Sequence, residues 1–172
     1  MTTTLRPITQ DDKQILANLT EKYEYEGSHI HGELADDFDE RGLYCRYYDK
    51  IVSCTDERRW GYFIEVDGKL AGFALVNNYS EPGDPEYDFY FADFFVALKY
   101  RRYGVGKSAF FQVLDKHKGR WKTGRHPKNI PSANFLAKHI DEYTNGKFEF
   151  IEEYPMFTYN GGVHAGVYFF ES

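Results

Sequence analysis

The chain has 172 residues and a formal net charge of −6, a length that fits one folded domain (residues 1–172) with its own core. An aromatic content of 19% excludes a disordered chain, and the acidic balance argues against a nucleic-acid partner. No apolar run is long enough to cross a bilayer and the N-terminus does not resemble a signal peptide, so we expect a cytoplasmic protein without a membrane partner. Cys45 and Cys54 lack the spacing of a metal site or a catalytic thiol, and no metal is expected.

The first sixty residues predict one strand followed by helices. A short strand spans Thr4–Pro7, and Thr9 with Asp12 forms a capping signal for a helix. The apolar face of this helix carries Ile15, Leu16, Leu19 and Tyr23. Glycine and histidine residues between positions 27 and 32 are expected to end it, and the region up to residue 56 is expected to be helical in part.

The remainder of the chain predicts strands first and then an alternation of helices and strands. Trp60–Val66 and Leu70–Asn77 flank Asp67-Gly68, a strong hairpin signal, and Glu86–Leu98 predicts a long third strand. The elements that follow are a helix to about Lys118, a strand at Arg120–Thr123, a helix from Pro131 to Asn145, and strands at Phe148–Phe157 and Val163–Phe170. This order predicts an α/β (α+β) fold with one mixed sheet of about seven strands and helices on both faces.

A glycine-containing basic turn at residues 100–108 separates the third of these strands from the next helix. Glycines allow close approach to the backbone, the helix start offers unpaired N–H groups, and arginines add positive charge. Between Lys99 and Asn129 there are ten basic residues and one acid, a local net charge of +9 in an acidic protein. The turn therefore predicts a site for a ligand that carries phosphate.

Two familiar phosphate motifs do not fit this turn. A nucleotide-triphosphate P-loop needs glycine where Arg101 stands, and no G-x-G-x-x-G can be written through the turn. What remains is Arg101-x-x-Gly104-x-Gly106, which resembles the pyrophosphate-binding signature [R/Q]-x-x-G-x-[G/A] of the GNAT acyltransferases. The resemblance implies acetyl-coenzyme A as the cosubstrate.

A second segment, Asn129–Leu136, resembles the GNAT pattern N-x-x-A-x-x-[F/L]-Y, and the predicted element order is that of the GNAT fold. The resemblance implies that Asn129 and Phe135 lie beside the pantetheine arm. It also implies that one strand pairs with the pantetheine amides through Phe95, Val96 and Ala97. The pyrophosphate would be surrounded by Arg101, Arg102, Tyr103, Gly104, Val105, Gly106, Lys107 and Ser108.

The proton donor for the leaving thiolate is a point at which this sequence departs from the family. Many members carry a tyrosine as general acid where this chain has Leu136. Tyr143 lies two helical turns further on the same face and is the candidate replacement. The alternatives are that Tyr143 is an ordinary core or surface residue, or that water protonates the thiolate.

The candidate general base is Asp93, just before the residues assigned to pantetheine pairing, with Asp88 second and His126 third. Strand alternation puts Asp93 on the face opposite Phe94 and Val96, and a β-bulge would change its direction. A carboxylate partnered on a sheet face is the alternative interpretation.

The acceptor is left open by the sequence. An acidic stretch at Glu33–Glu40 would favour a cationic amine, and a solvated helix face is the alternative and simpler explanation of the same residues. A flat acceptor is favoured by the aromatic residues Tyr23, Tyr25, Tyr44, Tyr47 and Tyr48. The resulting hypothesis is an acetyl-coenzyme A-dependent N-acetyltransferase, a monomer or homodimer, that acts on a primary amine of a small molecule or peptide. A non-catalytic GNAT-like sensor of acyl-coenzyme A is the alternative.

Overall fold

The computed structural model describes residues 1–32, 37–44, 57–80 and 82–172. Its strands are β1 (Thr3–Pro7), β2 (Arg59–Val66), β3 (Lys69–Asn77), β4 (Phe89–Val96), β5 (Arg120–Arg125), β6 (Phe148–Tyr159) and β7 (Val163–Glu171). Its helices are α1 (Lys13–His31), α2 (Val105–Lys116) and α3 (Ile130–Thr144). None of the helices in this part of the chain combines the length and apolar composition that a bilayer crossing needs.

The seven strands form one sheet in the order β1-β2-β3-β4-β5-β7-β6. Only β4 and β5 pair in parallel, so the sheet is mixed. One face is covered by α1, whose Leu16 packs on Phe63 and Phe73. The other face is covered by α2 and α3, through Phe110 and Ile140 among others. The predicted fold class, a mixed sheet with helices on both faces, is confirmed.

The N-terminal helix begins and ends within the stretches that the sequence predicted. Asp12 accepts a hydrogen bond from the backbone N–H of Thr9 at 2.9 Å and closes a 3₁₀ turn that leads into α1. The α1 helix continues through Gly27 to His31, within the stretch 27–32 that was expected to end it. A glycine inside a helix costs only about 1 kcal/mol, and tertiary packing readily offsets it. The helix ends at Gly32, where φ reaches +58°.

The hairpin between β2 and β3 is confirmed, with Asp67 and Gly68 at φ +49° and +73°. Two other predicted strands have different bounds. The β4 strand is shorter than Glu86–Leu98 because Leu98–Tyr100 forms a 3₁₀ turn. The β5 strand continues through Gly124, where a Cβ would lie 2.7 Å from the Phe157 ring. A glycine lets that ring pack directly on the strand.

A β-bulge at Ala92 changes the alternation along β4. Phe91 pairs with Val76, whereas Asp93 pairs with Leu75, so Ala92 is the extra residue. Asp93 consequently lies on the α1 face, opposite Phe94 and Val96, as the sequence predicted. In the region up to residue 56, which was predicted to be helical in part, the described residues 37–44 are not helical; the rest of it, with both cysteines, Tyr47 and Tyr48, lies outside the described residues.

The parallel pairing of β4 and β5 covers only part of their length. Phe89–Phe91 pairs with Trp121–Thr123, and beyond this point the two strands diverge. We refer to these paired segments, with the adjacent Asp88 and Arg120, as the closed half. Ala92–Val96 and Gly124–Arg125 form the open half, where a cleft separates β4 from β5. The cleft leaves one edge of β4 without a strand partner.

Candidate functional site

The glycine turn presents the start of α2 without a side-chain cap. Gly104 is the N-cap residue at φ +81°, and the first α2 amide to find a backbone partner is that of Ser108, which donates to the Gly104 carbonyl at 2.9 Å. The N–H groups of Val105, Gly106 and Lys107 therefore point outward, and the helix dipole adds partial positive charge. Arg102 also adopts a left-handed conformation, with φ +69°. This turn is built to bind an anion through its backbone.

Phe135 connects the glycine turn to α3. A Cβ on Gly106 would lie 3.1 Å from the Phe135 ring, so glycine is needed for this close contact. The same ring packs against Phe94 at 5.5 Å between centroids. Asn129 caps α3, because its Oδ1 accepts from the backbone N–H of Ser132 at 3.1 Å. The second motif thus places the start of α3 beside the turn and the open half of β4.

Two basic side chains assigned to the phosphate have carboxylate partners instead. The Arg101 guanidinium binds Glu26 of α1 through both Glu26 oxygens, and its Nε donates to the Val96 carbonyl. Lys107 forms an ion pair with Glu142 of α3. These contacts hold α1 and α3 against the turn, and they leave the backbone amides, with exposed Arg102, facing solvent.

The open edge of β4 offers backbone groups to the cleft. Ala97 donates its N–H to Ala71 of β3 at 2.8 Å, and a Cβ on Gly72 would meet the Phe95 carbonyl oxygen. Phe95 and Ala97 therefore point their polar groups toward β3. Alternation directs those of Phe94 and Val96 away from β3 and toward the cleft, where the Val96 carbonyl already accepts from Arg101. Of the three residues named from the sequence, only Val96 has this direction, and Phe94 was missed because the register could not be counted without the sheet.

Asp93 lies in the open half, on the wall of a pocket of about 100 Å³ whose lining is both apolar and polar, with Arg59 and Asn77 among the polar residues. Leu16 and Leu75 are among its neighbours there. Burial raises the pKa of Asp93 to about 6, and the Tyr23 hydroxyl, as a hydrogen-bond donor, acts in the opposite direction. Asp93 forms no ion pair with any described residue. It is consequently a half-buried carboxylate whose protonation changes near neutral pH.

Three tyrosines surround Asp93: Tyr23 on α1, Tyr90 on β4 and Tyr159 on β6. Burial raises the pKa of each, and the Asp93 carboxylate adds to the shift, so all three stay protonated at neutral pH. The Tyr159 ring packs on His126 at 4.7 Å. His126 accepts a hydrogen bond from the Lys128 N–H on Nδ1 at 3.1 Å. Of these tyrosines, the sequence singled out only Tyr23, since strand pairing brings Tyr90 and Tyr159 to the cleft.

The structure does not bring Tyr143 to this cleft. Its hydroxyl donates to Asp115 and accepts from Lys118, each at 2.8 Å, and its ring packs on Phe111. This contact lies on the sheet face opposite Asp93. Asp115 is ten residues after the first residue of α2, which places it about 15 Å along the helix from the glycine turn.

The charged residues of the closed half are all paired. Asp88 accepts from the Arg120 backbone N–H at 2.8 Å and forms an ion pair with its guanidinium, which lowers the pKa of Asp88. The Lys122 ammonium lies 2.6 Å from Asp84, and the two side chains are only 5% and 0% exposed. Because these partners hold Asp88 and Lys122, neither side chain is available to a ligand in the cleft.

In the described part of the acidic stretch, residues 37–40, the Asp39 carboxylate stabilises the local backbone. Asp39 accepts from the backbone N–H groups of Arg41 and Leu43, both at 2.9 Å. The aromatic residues of this region contact α1, because Phe38 and Tyr44 pack on Tyr25. Phe38 and Tyr25 remain 58% and 60% exposed, so this side of the molecule is aromatic rather than purely acidic.

Together these features fit a long ligand with a phosphate group at one end and amide groups along its length. The turn amides suit a pyrophosphate, the unpaired edge of β4 suits the amides of a pantetheine arm, and the cleft leads on to Asp93. The open space at Gly104 agrees with this fit, since no atom beyond its chain neighbours lies within 4 Å of a Cβ placed there.

Comparisons with known proteins agree with a ligand of this kind. A sequence model of the Acetyltransferase (GNAT) family matches residues 18–140. No curated protein matches the chain significantly. A GNAT-family acetyltransferase from Streptococcus agalactiae has 17% identity and a TM-score of 0.70, covering 99% of this chain and 95% of that one. An acetyltransferase from Thermus thermophilus has 15% identity and a TM-score of 0.66, covering 100% and 98%.

A third structure is the diaminobutyrate acetyltransferase EctA from Paenibacillus lautus, solved with L-2,4-diaminobutyric acid and coenzyme A. It has 17% identity and a TM-score of 0.60, covering 99% of this chain and 95% of that one. At these identities the structures establish the shared fold, and the family match establishes membership, with acetyl transfer from an acyl-coenzyme A as the family's general activity. The chain belongs to the GNAT acetyltransferase family.

Proposed function

We propose that this protein is an N-acetyltransferase that transfers the acetyl group of acetyl-coenzyme A to a primary amine of a small molecule or peptide. The observation that carries the proposal is Asp93, a carboxylate with a pKa of about 6 and no ion-pair partner among the described residues, in the open half of β4. A general base works best when its pKa lies near the operating pH.

Binding of the cosubstrate is assigned to backbone groups more than to side chains. The amides from Arg102 to Lys107 hold the pyrophosphate, with the dipole of α2 favouring negative charge. Phe94 and Val96 face the pantetheine arm from the edge of β4, and Asn129 lies beside it at the start of α3. Acetyl-coenzyme A supplies a thioester whose acyl carbon accepts an amine.

Asp93 has two tasks in this proposal. Its carboxylate attracts the ammonium form of the acceptor, and it takes the proton that the amine must lose before its lone pair can react. The surrounding tyrosine hydroxyls are uncharged and orient the acceptor without competing for it. Activity should therefore rise with pH through about 6 as Asp93 ionises.

Protonation of the leaving group needs no dedicated residue. An alkyl thiol has a pKa of about 8.5, so a thiolate is a competent leaving group near neutral pH and water can protonate it. The absence of a hydroxyl at the buried Leu136, and the engagement of Tyr143 with Asp115 and Lys118, are compatible with catalysis by this route.

Two measurements test the proposal. Calorimetric titration with acetyl-coenzyme A should show binding, and a panel of primary amines assayed for free thiol should show turnover. The absence of binding at millimolar acetyl-coenzyme A would overturn the assignment of the cosubstrate. Binding without thiol release from any amine would favour the non-catalytic sensor, the function that Leu136 keeps open.

A further inference from the structure

The closed half contains a lysine whose ammonium lies among tyrosine rings. The Lys122 ammonium is 2.6 Å from the Asp84 carboxylate, and both side chains are almost fully buried. Three ring centroids lie near the same ammonium, at 5.0 Å (Tyr154), 5.3 Å (Tyr87) and 5.8 Å (Tyr90). Aromatic rings attract a cation, and the attraction is strongest where water is excluded. We call this carboxylate with its three tyrosines the closed-half ammonium site.

Tyr90 belongs to this site and also reaches Asp93 in the open half. The β3 partners of Tyr90 and Asp93 are Asn77 and Leu75, which are two residues apart, so both side chains lie on the same face of the sheet. Burial raises the pKa of Tyr90, and the carboxylates of Asp93 and Asp84 both add to the shift. Tyr90 therefore lies near both carboxylates.

Two further tyrosines lie around Asp93. The Tyr23 hydroxyl donates a hydrogen bond to its carboxylate. Tyr159 is connected to Tyr90 through the Phe157 ring, with centroid separations of 4.9 Å and 6.4 Å. The tyrosines also act on one another, because the pKa of Tyr23 is raised by burial, by Asp93 and further by Tyr159 and Tyr90. We call Asp93 with these three tyrosines the open-half tyrosine site.

The two sites contain the same groups and differ in their cation. Each has one carboxylate and three tyrosines, and they share Tyr90. The closed-half site holds Lys122, whereas no described lysine or arginine forms an ion pair with Asp93. A buried carboxylate without a cation is unfavourable for folding, because its lost hydration is not offset. A ligand ammonium would supply the missing partner.

We propose that the acceptor is an aliphatic amine that binds as its ammonium ion in the open-half tyrosine site, next to Asp93. This inference rests on the proposed acetyl transfer and adds the chemical class of the acceptor. Lys122 indicates the shape that such a ligand has, an ammonium at the end of an unbranched methylene chain. Amines that are neutral near pH 7 lack the charge and should bind weakly.

The protons of such an acceptor balance within the reaction. Asp93 takes one of the three ammonium protons, and the lone pair that this frees attacks the acyl carbon. The C–N bond forms and the C–S bond breaks, a second proton leaves the nitrogen and reaches the thiolate through water, and the third stays on the product amide. Since the amide is neutral, the attraction of the site for the ligand is lost and the product can leave.

The test compares two ligands of equal shape and different charge. At about pH 7.5 n-butylamine is a cation, whereas its isostere O-propylhydroxylamine is neutral. Each is titrated calorimetrically into the complex of the protein with coenzyme A, which has no acetyl group to transfer. We expect the Kd of n-butylamine to be at least tenfold lower, because only the cation gains from the carboxylate and the rings. Equal Kd values would overturn the inference.

Variants separate the contributions of the carboxylate and the rings. Asp93→Asn should reduce the ratio of the two Kd values to about threefold or less, the part that the rings supply. Tyr159→Leu removes one ring and should also reduce the ratio, whereas Tyr159→Phe retains the ring and should preserve it. Tyr25→Leu is the matched control on α1, because the Tyr25 ring contacts Phe38 and Tyr44, and it should leave the ratio unchanged.

The remaining outcomes are distinguishable. A coenzyme A Kd within twofold of the wild type shows that a variant is folded, and the wild-type comparison needs no variant. A ratio that Tyr159→Leu leaves unchanged, or that Tyr159→Phe reduces equally, would overturn the aromatic site. If n-butylamine has no advantage but other amines release thiol from acetyl-coenzyme A, the acceptor class is wrong while the proposed function stands. If coenzyme A does not bind, the proposed function fails and this inference fails with it.

Discussion

The closed and open halves of the β4–β5 pair differ in how their charges are treated. In the closed half Asp88 is bound to Arg120, and Lys122 is bound to Asp84. In the open half, a few residues further along the same strands, Asp93 and Arg125 have no ion-pair partner among the described residues. Charges that stabilise the fold are partnered where the strands meet, and charges available to a ligand remain where the strands separate.

Substitution of Asp93 should give the largest effect on activity. Asp93→Asn removes the proposed base and is expected to lower kcat/KM by about 10²–10⁴-fold. The rise of kcat/KM with pH through about 6 should disappear in this variant, while acetyl-coenzyme A affinity is retained. The closed-half control Asp88→Asn should keep the pH profile, since Asp88 is held by Arg120. A profile that is identical in the wild type and Asp93→Asn would contradict the assignment.

Loss of the buried closed-half cation should give the largest effect on stability. Lys122→Met leaves the fully buried Asp84 without its cation and is expected to lower the free energy of unfolding in urea by about 3 kcal/mol. The Tyr154 hydroxyl still donates to Asp84 and limits the loss. Arg125→Gln is the open-half counterpart and should change stability little. Equal losses in the two variants would remove the contrast between the halves.

A change in the glycine turn should affect binding selectively. Gly104→Val forces a β-branched residue into φ +81°, which costs about 1–2 kcal/mol and displaces the amides around it. If that strain is relieved by opening the turn, the acetyl-coenzyme A Kd should rise about tenfold or more. Gly68, at φ +73° in the β2–β3 hairpin and equally free of contacts, is the matched control. Gly68→Val should lose similar stability without changing the Kd.

The protonation of Asp93 also predicts a pH dependence of stability. Its pKa is about 6 in the folded protein and about 4 in the unfolded chain, so the folded state binds the proton more tightly. Stability should therefore fall as pH rises from 4 to 6. Above pH 6, Asp93→Asn should be about 1–2 kcal/mol more stable than the wild type, with allowance for its partial exposure. An Asp93→Asn variant that is less stable at pH 8 would contradict this prediction.

The smallest effect is expected at the ion pair between α1 and the turn. Glu26→Gln weakens the contact with Arg101, whose side chain is 33% exposed against 41% for Glu26. Surface pairs of this kind contribute about 1 kcal/mol or less. We expect a change in Tm of a few degrees at most and a change in the acetyl-coenzyme A Kd below threefold. A tenfold weaker Kd would show that this pair positions the turn.

The sequence predicted the elements whose signals are local. The hairpin at Asp67-Gly68, the glycine turn and the capping signal of Thr9 and Asp12 depend on residues close together in the chain, and the structure has each of them. The predicted ends of the strands were less accurate than the predicted strands themselves. The end of β4 and the extension of β5 through Gly124 depend on the neighbouring strands and on the Phe157 ring, which the local sequence does not specify.

The role of individual charges could not be derived from the sequence. Arg101 and Lys107 read as phosphate ligands from their place in a basic turn, yet Glu26 and Glu142 reach them from 75 and 35 residues away. The sequence did not single out Arg125. Among the described residues no carboxylate lies within ion-pairing distance of it, and that is a property of three-dimensional packing.

The sequence by itself thus determined the fold class and the glycine turn, because backbone conformation and alternation are encoded over short stretches. Only the tertiary structure decided which side chains face the cleft. The bulge at Ala92, the divergence of β4 from β5 and the burial around Asp93 all arise from contacts between distant segments. Since pKa values and ion pairs depend on those contacts, the chemistry of the site became visible only in the folded chain.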